Sequence, residues 1–171
     1  MPAVPTLAAG SRLTVPRIVF AFGQAPAAKL RQSVAQAIAN SSPTAITFNL
    51  EDLDTDPDGI GGHSTSSNTS RYTARYPGWY RVGGGVSFAN NATGLRVVSW
   101  AVNGSNVAGS DVLVNAVTGS NTTRMAARSD LIRLEEGDYL ELRALQTSGG
   151  SLNTAVTNDE QATASITWEC A

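Results

Sequence analysis

Cysteine, histidine and lysine each occur once in the 171 residues, as Cys170, His63 and Lys29. A single cysteine excludes an intrachain disulfide, and a metal centre would need its ligands from elsewhere. Cys170 reads as a bystander thiol close to the end of the chain. A catalytic triad on His63 would need a nucleophile and an acid beside it. Ser64, Ser66 and Asp58 are neighbours in sequence only, and no G-x-S-x-G elbow is present. His63 is therefore expected in a flexible loop. Charge is scarce: 15% of residues, against roughly 25% in an average domain. A net charge of −2 gives no electrostatic case for nucleic acid or an anionic membrane. No apolar run approaches the roughly 18 residues of a bilayer span, so membrane insertion is not expected. Residues 17–22 are too short for a signal-peptide core, and secretion is not expected either. Five Asn-x-Ser/Thr sequons, at Asn40, Asn68, Asn91, Asn103 and Asn121, then read as turn chemistry. Gly83-Gly84-Gly85 lacks a following helix or Lys-Ser/Thr, which excludes a phosphate cradle. Three glycines inside a strand mark a bulge or a close backbone approach.

What fills the chain is glycine, serine, threonine, asparagine and a 42% hydrophobic fraction, enough for a real core. Residues 1–25 mix Pro2, Pro5, Pro16, Gly10 and Gly23 with apolar side chains. This is an extended arm that docks on something, with Leu13, Val15, Ile18, Phe20 and Phe22 as candidate anchoring residues. Pro26 suits a first helical turn. Leu30, Val34, Ala37 and Ile38 fall at i, i+4, i+7 and i+8, with Arg31, Gln32 and Gln36 opposite. The spacing predicts a short helix over 26–40, ended by Asn40-Ser41-Ser42-Pro43, with the linker running to residue 42.

From Thr44 the period changes to two. Short alternating runs at 45–50, 70–76, 78–89, 95–102, 111–117, 123–129, 131–145 and 163–169 are separated by turn clusters. They predict an antiparallel β-sandwich or barrel over 43–171. Within 131–144, the carboxylates Glu135, Glu136 and Asp138 surround Gly137, and Glu141 follows. The stretch reads as a hairpin with Gly137 at positive φ and a solvated acidic tip, not as a catalytic pair.

Four ordered landmarks then resemble the jelly-roll domain of tumour necrosis factor and the globular head of complement's first component. They are Phe48-Asn49 in an opening strand, Gly78-Trp79-Tyr80-Arg81-Val82 against "G-x-Y-x-F", Leu134, Gly137, Asp138, Leu140 and Leu142 against "L-x-x-G-D-x-(V/L)-x-L", and a closing strand at 164–169 with Trp168. The resemblance implies a non-enzymatic jelly-roll homotrimer without cofactors. Phe48, Tyr80, Val82, Leu142 and Trp168 become candidates for the trimer interface or the core. Stretches such as 49–56, 61–74 and 76–82 also resemble virion proteins of tailed bacteriophages, of minor tail or fibre type. That resemblance implies a virion location, synthesis in the bacterial cytoplasm, and tail or major capsid protein as partner. A capsid decoration protein and a carbohydrate-binding module for the host envelope are the alternatives. The latter would use Tyr76, Trp79, Tyr80 and Trp100 as a platform for a host surface glycan.

One metal pattern is present in part. Residues 54–59 match the first half of an EF-hand loop, but Thr65 stands where the bidentate glutamate belongs and Pro57 interrupts the turn. Asp54, Asp56 and Asp58 remain the weak metal candidates, and an acidic turn is the expectation.

Overall fold

A computed structural model describes residues 25–119 and 121–171. The arm, with Leu13, Val15, Ile18, Phe20 and Phe22, lies outside the described residues. In chain order the strands are β1 Ala27–Arg31, β2 Ala37–Ile38, β3 Thr44–Ala45, β4 Leu50–Thr55, β5 Tyr72–Thr73, β6 Gly78–Phe88, β7 Leu95–Val102, β8 Ser105–Asn106, β9 Val112–Asn115, β10 Thr123–Leu134, β11 Tyr139–Gln146, β12 Leu152–Asn153 and β13 Thr163–Cys170. A single 3-10 turn, Asn158–Glu160, is the helical element of the described residues.

Two antiparallel sheets face each other. The first runs β10-β6-β13-β1-β4. The second runs β3-β11-β7-β8, with β5 added to β11 and β9 to β7. The order is non-sequential, which is the jelly-roll arrangement. Alternation explains the layering. Tyr80 and Val82 of β6, Ile166 of β13 and Leu30 of β1 point inward, while Trp79, Arg81, Ser165, Thr167 and Lys29 point out. Trp100, Val98, Leu140 and Leu142 meet them from the second sheet. Trp100 keeps its indole N–H bonded, donating to the Arg128 carbonyl at 2.8 Å, where β10 bulges between Ala127 and Asp130.

The helix expected over 26–40 is not formed. Residues 27–31 are instead an inner strand of the first sheet, paired with β13 on one side and β4 on the other. Helical spacing and strand spacing compete in this segment, and burial decides between them. Ala28, Leu30 and Gln32 alternate inward, Ile38 is buried, and Val34 is left 66% exposed. Two ladders satisfy the backbone of β1, which an isolated short helix could not match. The jelly roll therefore begins at Ala27 rather than at residue 43. Gln32, expected on a solvated face, is buried: it donates to the Thr47 carbonyl at 3.1 Å and accepts from Thr154 Oγ1 at 2.6 Å.

The glycine triplet sits where β6 is squeezed between two neighbours. A Cβ on Gly84 would strike the Thr163 carbonyl, and one on Gly85 the Met125 carbonyl. Close backbone approach is the reason for both.

Candidate functional site

The acidic loop between β4 and β5 holds the weak metal candidates Asp54, Asp56 and Asp58, and all three carboxylates are engaged by the protein. Asp56 is buried, accepts the Asp58 and Ile60 N–H groups at 2.9 and 3.1 Å, and lies 2.7 Å from Arg75 Nε. Asp54 accepts the Gly62 and His63 N–H groups, each at 2.9 Å; burial raises its carboxyl above the ordinary range despite those bonds. Asp58 accepts the Tyr76 hydroxyl at 2.8 Å. Burial, reinforced by Asp58, raises the Tyr76 phenol. This is turn and ion-pair chemistry. Among the described residues no group of three His, Cys, Asp or Glu side chains is placed to hold a metal ion.

His63 is not a flexible-loop residue. Its side chain is fully buried. Nδ1 lies 2.7 Å from Glu51 Oε1, Nε2 lies 3.1 Å from the Thr69 carbonyl, and the ring meets Phe48 edge-on. The ring ties the long loop to β4. Both nitrogens are occupied, so it offers no base to a substrate.

The stretch 131–144 is a corner rather than a hairpin. β10 pairs with β6 and β11 with β7, so residues 135–138 cross from one sheet to the other. Gly137 has φ +87°, as the turn requires, and donates its N–H to the Ala74 carbonyl at 2.8 Å. Asp138 is the staple of the corner. One oxygen accepts the Glu135 N–H at 2.8 Å and the other accepts Asn103 Nδ2 at 2.7 Å. Glu135 and Glu136 are exposed. Glu141 is buried on β11, facing Ser70 Oγ at 3.1 Å and Arg71 Nε at 3.3 Å. Asp138 and Glu141 are thus each held by other groups and Glu135 and Glu136 stand in solvent, which is corner chemistry rather than the arrangement of an acid–base pair.

The aromatic platform is not formed. Tyr76, Tyr80 and Trp100 are buried, and of the four only Trp79 is exposed. Of the interface-or-core residues, Phe48, Tyr80, Val82 and Leu142 are core. Each is enclosed within one chain and has no surface to offer a second. Trp168 is half-buried and donates to the Pro77 carbonyl at 3.3 Å. A Cβ on Gly78 would collide with its indole, which explains the glycine at that landmark.

What the sequence did not reveal is the outer face of the first sheet. Ser165 opposes Gly83, Thr163 opposes Gly85, and Gly85 opposes Ala126. Across β13, β6 and β10 this row has nothing larger than threonine. Of the cations at its borders, Arg31 pairs with Asp52 at 2.7 Å and Arg124 with Glu160, while the exposed Lys29 beside Ser165 reaches Asp52 only at 3.8 Å. The side-chain bond to Asp52 raises the Arg31 guanidinium, and the same bond lowers the Asp52 carboxyl. The result is a row of small side chains bordered by charged ones. Strand alternation was visible beforehand, but which strands would be neighbours was not.

This layered, non-sequential arrangement is similar to solved structures of known proteins. The globular domain of a zebrafish complement 1qA protein matches at TM-score 0.52 and 14% identity, over 84% of this chain and 96% of that one. Eiger TNF from S. frugiperda matches at TM-score 0.58 and 11% identity, over 87% and 96%. Murine APRIL matches at TM-score 0.58 and 10% identity, over 84% and 98%. The fold is the TNF/C1q jelly roll. At such identities the likeness concerns the fold alone. No family model and no curated protein sequence matches the chain.

Proposed function

We propose that the chain is a non-enzymatic, homotrimeric virion surface module of a tailed bacteriophage. The arm attaches it to the particle and the jelly roll projects outward. Self-association is the part that the jelly-roll likeness supports. The observation that carries it is the flat row Gly83, Gly85, Ala126, Thr163 and Ser165 on a TNF/C1q-like jelly roll. A row of small side chains lets a second sandwich approach closely there, and a threefold ring closes such a contact without open ends. A non-enzymatic role is supported by the occupied state of His63 and of the acidic residues. The carbohydrate reading has lost its aromatic platform to the core and is not favoured. The virion location, on tail or capsid, is supported by the sequence resemblance described above.

Two measurements test this. Ala126→Arg combined with Ser165→Arg, both at exposed positions, should convert a trimer into a folded monomer. An unchanged mass places the contact elsewhere. Mass spectrometry of purified virions should detect the chain, co-fractionating with tails or with capsids. Its absence from particles rejects the virion reading and leaves the trimer standing.

A further inference from the structure

The outer face of the second sheet is apolar along one row. Val98 of β7, Ala144 of β11 and Val112 of β9 point into the core, so their neighbours Val97, Leu145 and Leu113 point out. The ladders bring the three side by side: Val97 opposes Leu145 on one flank and Leu113 on the other. Leu113 is 57% exposed, and Val97 and Leu145 are half-buried. Three aliphatic side chains in line across three strands form a contiguous strip, unlike the single exposed hydrophobic residues of an ordinary surface.

The next row carries charge, and its order is informative. Arg143 opposes Ser99 across β11 and β7, and Asp111 stands on the other flank, one residue ahead of the Val98–Val112 pair. All three line one small cavity of this face. Arg143 gives Nη1 to the Gly104 carbonyl at 2.9 Å, while its Nε makes no hydrogen bond among the described residues. Asp111 is exposed and has no ion pair among them. The row therefore reads cation, serine, anion. Both rows have their centre on β7, at Val97 and at Ser99.

Such an arrangement is complementary to itself. A rotation by half a turn about an axis along β7, lying in the plane of contact, lays each row on its own reverse. Arg143 then meets Asp111 of the second copy, Leu145 meets its Leu113, and Val97 meets its Val97. The strands stay near-aligned, as in ordinary packing of sheets face to face. We propose that this face is an isologous contact between two copies of the chain, centred on Val97 and Ser99. The strip is short, which puts the contact in the weak class, with a dissociation constant on the order of 0.1–1 mM. At micromolar dilution it is empty; where many copies are held close together it joins neighbouring modules. It lies on the sheet opposite the one proposed for the trimer and stands whether or not that trimer forms.

Cross-linking with a short bis-maleimide reads the register, in full chains carrying Cys170→Ser so that each variant has one thiol. Protein at about 0.5 mM populates a contact of this strength. Val97→Cys lies on the axis and should give a covalent dimer on a denaturing gel, which does not register the trimer. Leu113→Cys alone and Leu145→Cys alone should react at least roughly tenfold more slowly, since each is displaced from its own copy by two strand spacings, roughly 10 Å, along the face. An equal mixture of those two should react as fast as Val97→Cys, because Leu113 faces Leu145 across the contact. Asp111→Arg, at an exposed position, should slow Val97→Cys to the rate of Leu113→Cys by setting a like charge against Arg143. Thermal transitions measured alongside check that the variants fold. Equal rates for Val97→Cys and Leu113→Cys overturn the proposal, because collision alone gives that pattern. A Val97→Cys rate that Asp111→Arg leaves unchanged overturns it too, as does the absence of covalent dimer in every variant; the trimer mass is untouched by any of these outcomes.

Discussion

Glu160 collects its partners from two segments. Thr122 Oγ1 donates at 2.6 Å, Arg124 Nη2 at 2.5 Å, and Thr157 Oγ1 at 2.8 Å. These bonds, Thr122 first, pull its carboxyl from 4.5 to about 2. A carboxylate with a depressed folded-state value adds stability above its unfolded value and loses it as pH falls. The contribution is therefore complete above 4.5 and disappears towards about 2. Glu160→Gln should flatten the fall of Tm across that window; equal slopes for variant and parent would contradict the assignment. Arg96 presents the opposite situation. It is fully buried, has no ion pair among the described residues, and donates to the carbonyls of Asn91 at 2.8 Å, Thr93 at 2.9 Å and Leu95 at 3.0 Å. Burial lowers its guanidinium. Arg96→Leu strips the Asn91 and Thr93 carbonyls of this donor, while the Leu95 carbonyl keeps the Thr147 N–H, and should cost roughly 2–4 kcal/mol by urea unfolding.

The corner at residues 135–138 and the strand β1 are where element-level reasoning is most exposed to test. Asp138→Ala removes both ties, to Glu135 N–H and to Asn103, and should cost about 1–2 kcal/mol. Gly137→Val should cost a similar amount, about 1–2 kcal/mol, because φ +87° is strained for a branched residue even though nothing would clash with its Cβ. Glu135→Gln with Glu136→Gln should leave the midpoint unchanged, since the one ion pair lost, Arg133–Glu135 at 3.2 Å, is exposed. For β1, a helix would place Leu30 and Val34 on one buried stripe. The strand buries Leu30 and exposes Val34. Leu30→Ala should therefore cost roughly 2–4 kcal/mol, while Val34→Asp should stay within about 0.5 kcal/mol. Equal penalties in chemical denaturation would restore the helix.

At the scale of the whole molecule, the two faces of the first sheet divide the work. The inner face builds the core with Leu30, Tyr80, Val82 and Ile166; the outer face carries the small row Gly83, Gly85, Ala126, Thr163 and Ser165. A homotrimer has an expected mass of about 53 kDa, three times the 17.8 kDa chain. Obligate contacts leave little free monomer, so light scattering should give that mass independent of micromolar dilution. A monodisperse species at the chain mass would remove the trimer from the reading and leave the fold intact.

The jelly-roll class was legible because it rests on local information. Residues 78–82, 164–168 and 140–144 alternate with period two, and Gly137 stands where the chain must turn through positive φ. Three other features had no local signature. Whether 27–31 coils or extends depends on β13 supplying a ladder from more than a hundred residues away. That His63 is buried depends on Glu51, Thr69 and Phe48 closing around it. Whether Phe48, Tyr80 and Leu142 face a partner chain or their own core depends on which sheet lies opposite, and pairing between strands distant in sequence decided it. A period of two assigns side chains to alternate faces of a strand, but only the stacking of the two sheets makes one of those faces the inside.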